Sequence, residues 1–372
     1  MIPINKPLLG DEEKQEILNI LEENVLTSPA NDGGKRVQEF ETILKTYINV
    51  KHVIAVNSGT SALHASLLSI GIKQGDEVIL PSFTFVATAN SVMAAGATPI
   101  FADINKQDYT IDAVDIEKKI NKSTKAIIPV HLYGHPSNMN EINSIAREHS
   151  LYVIEDACQS LGSTYFQKQT GTLSDIGCFS FYASKVITTG EGGAIATNND
   201  NYAENLKMIR NHGMIHGYDT AVFGLNLRLP ELSAGIGKIQ MKKLDKMLKI
   251  RRNNADILSN GLKKYEQTQS MINLPEETMD KKFNWYLFTV GFKDKNKREL
   301  VKNHLINEGI GATVYYDPPV HKTPYYKDFE SQSDDSLPNT IWAWHHALSL
   351  PVHPLVTEND LYKIIKIFET CI

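Results

Sequence analysis

Lys185 lies just beyond an apolar run, Cys178-Phe-Ser-Phe-Tyr182, and just before the glycine turn Gly190-Glu-Gly-Gly193. Most lysines are solvated, because an ammonium loses hydration on burial. A lysine bracketed by two strand-like runs, the second being Gly193-Ala-Ile-Ala-Thr197, instead points toward the floor of a cleft. An amine placed there becomes a covalent nucleophile when burial or a neighbouring cation lowers its basicity. It then forms a Schiff base, either with a carbonyl substrate or with pyridoxal phosphate (PLP). The second alternative requires three more parts: a carboxylate for the pyridine nitrogen, an anion cradle and a flat face for the ring.

Each part has candidates. Asp156 ends the run Tyr152-Val-Ile-Glu-Asp156, so it belongs at a strand's carboxyl end, with Glu155 on the opposite face. A carboxylate there either keeps a pyridine nitrogen protonated or caps the next helix. Asn57-Ser-Gly-Thr-Ser61 opens a helix, where Gly59, Thr60 and Ser61 make either an anion site or a simple N-cap. Ser180 offers a further hydroxyl from the strand side. Phe83 and Phe85 share a face if the chain is extended, and one of them could stack on a ring. The chain has no G-x-G-x-x-G, no Walker loop, no H-E-x-x-H and no G-x-S-x-G, so dinucleotide, P-loop, zincin and serine-hydrolase readings have no support.

Positioning these residues falls to a regular alternation. Apolar runs at 53–56, 78–80, 99–102, 126–130 and 152–154 alternate with helical patterns at 61–70, 86–95, 114–120 and 139–148. This predicts an α/β fold with a mostly parallel sheet flanked by helices, in which ligands collect at the strands' carboxyl ends. The stretch from Pro230 to about Lys264 reads as a long helix, followed by a strand at Trp285–Val290 and helices at 297–307 and 358–370. The expected division is a large domain over 1–240 and a smaller α+β domain over 241–372.

Bulk properties narrow the classes. With 372 residues, 42% hydrophobic and 22% charged, the composition is that of a globular protein. A net charge of -5 argues against nucleic acid as a partner. The basic run Lys242–Arg252 reads as a solvated helix face. Three widely spaced cysteines, Cys158, Cys178 and Cys371, indicate neither a disulfide framework nor a metal site. The N-terminus lacks a signal-peptide pattern and no run is long enough to span a membrane, so a cytoplasmic location is expected.

Taken together, the ordered segments resemble the DegT/DnrJ/EryC1/StrS sugar aminotransferases, which are fold-type I PLP enzymes. The matching segments are Asn57–Leu63, Gly75–Phe85, Pro129–Gly134, Ile154–Gly162, the lysine segment, Arg210–Gly213 and Asn226–Ala234. The resemblance implies that Lys185 is the Schiff-base lysine and that Asp156 pairs with the pyridine nitrogen. It puts Phe85 against the ring, Gln159 near the ring hydroxyl, and Gly59, Thr60, Ser61 and Ser180 on the phosphate. It adds Asn226 from the neighbouring subunit, hence a homodimer with a shared site, and substrate contacts from Tyr316 and His321. It further implies transfer of an amino group from an amino acid, glutamate, to a nucleotide-linked keto-deoxysugar. The opening Ile2–Pro7 resembles members that aminate C4. A keto-inositol acceptor, or a regulator that binds without turnover, are the alternatives. The chain differs from the family pattern at Cys158 and Tyr182, differences expected to bear on the substrate and not on the cofactor chemistry.

Overall fold

The computed structural model describes residues 1–267, 270–328 and 333–372. The alternation between residues 52 and 197 folds into a seven-stranded sheet. Its strands are β1 (His52–Val56), β2 (Glu77–Pro81), β3 (Thr98–Ala102), β4 (Thr124–Ile127), β5 (Tyr152–Asp156), β6 (Ile176–Ser180) and β7 (Gly193–Thr197). Across the sheet they follow the order β1-β7-β6-β5-β4-β2-β3. From β3 to β6 every pairing is parallel, and β7 runs antiparallel to both its neighbours. The fold is therefore the expected mixed α/β class with a mostly parallel sheet.

Both faces of the sheet are covered, which is why its strands read as continuous apolar runs. Successive residues of β1 divide between two cores: Val53 and Ala55 pack into one, Ile54 and Val56 into the other. Helix α1 (Gly59–Ser69) lies against β6 and β7, while α2 (Ala87–Ala94) follows β2 and packs on α1. The first turns of both helices thus stand at the carboxyl ends of the parallel strands.

Helix α3 (Glu231–Gln267) runs unbroken through residues 240 and 241. Beyond it a second sheet forms from β8 (Ile272–Asn273), β9 (Phe288–Phe292) and β10 (Ala347–Leu350), all antiparallel, with its own apolar cluster. The strand expected from Trp285 begins only at Phe288, because Trp285 takes a left-handed backbone conformation (φ 53°) that no strand continues through. Among the described residues no helix is long and apolar enough to cross a membrane.

His353 anchors the N-terminal segment to this second layer. It is 1% exposed, its Nε2–H donates to the Pro3 carbonyl (3.0 Å), and its Nδ1 accepts the Leu355 N–H (3.3 Å). Burial pulls its pKa from 6.5 down to about 4, against the pull of the Pro3 bond. The folded protein thus resists a proton that the unfolded chain takes up near pH 6.5, so stability is full above that pH and falls as pH drops toward 4. Linkage sets the slope at no more than about 1.4 kcal/mol per pH unit for this one group. Urea unfolding at pH 7, 6 and 5 is expected to show this loss, and His353→Gln to flatten the profile.

Candidate active site

The carboxyl ends of the strands open onto a cavity of about 600 Å³. Ser58, Gly59 and Thr60 enter it from the N-cap and first turn of α1, Thr84 and Phe85 from the segment after β2, and Thr88 from the first turn of α2. Asp156 and Ser180 come from the last positions of β5 and β6, and Lys185 from the segment beyond β6. Tyr286, Tyr315 and Tyr316 close it from the C-terminal part of the chain.

Asp156 is 5% exposed, and both of its oxygens are engaged. Thr88 Oγ1–H donates to Oδ2 (2.9 Å), the Cys158 N–H donates to Oδ1 (3.2 Å), and Thr84 Oγ1 backs Thr88 at 3.0 Å. The carboxylate is therefore fixed in one orientation toward the cavity. Glu155 points to the other face, as strand alternation requires. There it meets His131 Nε2 (2.9 Å), the N–H groups of Gly171 and Leu173 (both 2.7 Å) and Ser174 Oγ (3.0 Å).

The N-terminus of α1 opens onto the same cavity as the carboxylate. Ser58 is the N-cap, its hydroxyl oxygen accepting the Ser61 N–H at 3.0 Å. The first N–H groups of a helix lack intrahelical acceptors and favour an anion. Gly59 is required by close approach: a Cβ there would lie 2.8 Å from Ser180 Cβ and 2.9 Å from Cys158 Sγ. Its absence lets the helix turn close on the Ser180 hydroxyl. Ser61 stays just outside the cavity, donating its hydroxyl to Asn57 Oδ1 (2.6 Å). Burial, then the Asp156 charge, push the Cys158 thiol up, so it sits here as a neutral thiol.

Gln159 bridges two walls. Its Oε1 accepts the Tyr133 N–H (2.8 Å) and its Nε2–H donates to the Tyr316 hydroxyl (2.9 Å). Burial, reinforced by Tyr286 and Asp156, holds the Tyr316 phenol protonated, its pKa raised well above the usual value. The Tyr316 ring lies 5.8 Å from that of Phe85.

Two expectations are revised in detail, those for Phe83 with Phe85 and for His321. Phe83 and Phe85 do not share a face. The chain bends after Pro81, which buries Phe83 against Tyr109 (6.4 Å between ring centroids) and leaves Phe85 54% exposed in the cavity. His321 lies outside the cavity, 2% exposed, with Nδ1 2.6 Å from Ser82 Oγ and Nε2 3.4 Å from Asp334. Asn226 is exposed and does not line the cavity of its own chain, and its carbonyl accepts from Asn57 Nδ2 (3.3 Å). Thr88 and Tyr286, which line the cavity, carry no sequence signal of their own. The one available clue to Thr88 is the hydroxyl-rich stretch between Pro81 and a helix.

A fixed carboxylate, an amine without an ion-pair partner among the described residues, a helix-end cradle of neutral donors and an aromatic wall fit PLP part by part. A profile of the DegT/DnrJ/EryC1/StrS aminotransferase family matches residues 7–369. The chain belongs to this family. It is 35% identical to the GDP-perosamine synthase of Caulobacter vibrioides over 368 residues, covering 98% of this chain and 96% of that one. It is 35% identical to the 3-oxo-glucose-6-phosphate:glutamate aminotransferase of Bacillus subtilis over 371 residues, 98% of this chain and 82% of that one. The structure of DesV from S. venezuelae in complex with a ketimine intermediate superposes with a TM-score of 0.91 at 33% identity, covering 99% of each chain. The protein is a PLP-dependent aminotransferase of fold type I.

Proposed function

We propose that this aminotransferase carries an amino group from glutamate to the keto carbon of a nucleotide-linked deoxysugar, at C4 of a 4-keto-6-deoxysugar. The observation that carries the reading is the convergence of Lys185, Asp156 and the α1 cradle on one cavity. The relative named for GDP-perosamine supports a nucleotide-sugar acceptor, and the glutamate-dependent relative supports the donor.

When bound, PLP supplies an electron sink for the pair left on a carbon that loses its proton. Lys185 holds the cofactor covalently at rest. Once freed by the donor's amine, its Nζ would take the proton from the donor's α carbon in the first half-reaction and give one to the former keto carbon of the sugar in the second. Asp156, held by Thr88 and the Cys158 N–H, would supply the carboxylate for the pyridine nitrogen. Gly59, Thr60 and Ser180 bind the phosphate, with Ser61 steadying the N-cap. Phe85 would offer the ring a flat face, and Gln159 orients the Tyr316 hydroxyl in the cavity. Among the described residues the cavity wall holds no arginine and five aromatic rings (Phe85, Tyr182, Tyr286, Tyr315, Tyr316), a surface suited to the apolar face of a deoxysugar. The reading includes a homodimer, in which the partner's Asn226 completes the phosphate cradle, with Tyr316 on the sugar side. It also keeps a large domain over 1–240, a small one over 241–372, and a cytoplasmic location.

The test is a visible spectrum of the PLP-loaded protein. Glutamate is expected to bleach the lysine-bound band with release of 2-oxoglutarate, and a nucleotide-linked 4-keto-6-deoxysugar to restore it. Restoration by a keto-inositol or by 3-oxo-glucose 6-phosphate alone would replace the acceptor, and absence of bleaching by any amino donor would leave a binding protein.

A further inference from the structure

Lys185 Nζ lies 5.0 Å from the centroid of the Tyr286 ring, within cation–π range. Tyr286 is 5% exposed and lines the same cavity. Its backbone is held from three sides: its N–H donates to Asn284 Oδ1 (2.9 Å), and its carbonyl accepts from Arg251 Nη1 (3.1 Å) and Asn5 Nδ2 (3.4 Å). The Asn284 side-chain amide in turn donates to the carbonyls of Gln159 (2.8 Å) and Leu161 (3.0 Å), which ties the clamp to the segment following Asp156.

Two features indicate that this arrangement is built for orientation. Trp285 takes φ 53°, an outlier for a bulky residue, and strain of that kind persists only where the surroundings over-determine it. Arg251 is 1% exposed and its contacts among the described residues are all neutral oxygens: the carbonyls of Trp285 and Tyr286 and Asn5 Oδ1. Burying a cation against carbonyls is an expensive way to pack a core. Here its effect is to fix the turn that aims residue 286 at Lys185.

A lysine that is bonded in one state and free in the next has a four-carbon stem with many rotamers, few of which keep its nitrogen at the reacting atoms. We propose that Tyr286 is a positioning residue for Lys185, its ring holding the released amine in place between the two proton transfers. The proposal rests on Lys185 being the covalent lysine. The ring carries the effect, since among the described residues the hydrogen bond of the Tyr286 hydroxyl is a long one to Ser184 Oγ (3.4 Å).

The test uses Tyr286→Phe, Tyr286→Leu and Tyr286→Met; methionine fills the ring's volume with a flexible chain should the leucine form not fold. In cofactor-free protein, reductive methylation with formaldehyde and cyanoborohydride is followed at Lys185 by peptide mass spectrometry, with the other lysines as reference. The ring-less forms are expected to react about fivefold faster at Lys185, a factor matching a partly desolvated cation–π contact, and the phenylalanine form like the parent. In loaded enzyme the ring-less forms are expected to lose about tenfold in the rate of the glutamate half-reaction, read without any sugar acceptor, and phenylalanine to restore it. Parent-like methylation in the ring-less forms, or a phenylalanine form as impaired as leucine, would overturn the proposal. Lys185→Ala that still turns over would instead sink the functional reading, so the two failures are distinguishable.

Discussion

Lys185→Ala is expected to fold like the parent, to bind PLP without forming the lysine-bound visible band, and to lose at least about 10⁴-fold in transamination. The size follows from two losses at one atom. Positioned proton transfer alone is worth about 10² to 10⁴, and without the amine there is also no covalent leaving group for the donor to displace. Stability should be little changed, because Lys185 is partly exposed and takes part in no ion pair among the described residues. Single-turnover rates with glutamate, with and without a small added amine, give the decisive measurement. An amine such as methylamine can carry a proton but is not tethered, so it should restore a small fraction of the rate with saturation behaviour. A variant that kept the parent rate would remove Lys185 from the chemistry altogether.

The parts of the site that were legible in the sequence are those set by their own strand. Asp156 and Ser180 are the last residues of β5 and β6, and Gly59 follows β1, so a correct strand assignment places all three at one edge of the sheet. Phe83 and Phe85 were ambiguous because their directions depend on a bend after Pro81 that spacing alone does not reveal. Tyr286 was illegible for a stronger reason. Its aim depends on a left-handed Trp285 held by Arg251, 34 residues earlier in the chain, and on the Tyr286 carbonyl accepting from Asn5 in the N-terminal segment. Similarly, His321 was drawn toward the substrate by its segment, yet its partner Ser82 lies 239 residues away and turns it into the interior. The fold class followed from periodicity. The tertiary clamps, which act between distant segments, left no periodic trace.

Asp156→Asn is expected to cost about 10³-fold in kcat while leaving PLP bound, and this substitution separates charge from shape. Removing one preorganised electrostatic group from a low-dielectric site typically costs 10² to 10³. Asparagine matches the aspartate in volume, so the cavity keeps its form. Its amide can accept from only one of the two donors now aimed at the carboxylate, Thr88 Oγ1–H and the Cys158 N–H, and the other is left facing an NH₂. That mismatch should lower stability by about 1 to 2 kcal/mol, as expected for one unsatisfied buried donor. Thr88→Val supplies the comparison: it removes the Oδ2 partner but keeps the charge, so its kcat loss should stay near tenfold. The half-reaction with glutamate, followed through the lysine-bound absorption band, reads both variants without any sugar acceptor. If Asp156→Asn and Thr88→Val fell by the same modest factor, Asp156 would act by orientation alone and its charge opposite the pyridine nitrogen would not be what drives proton removal.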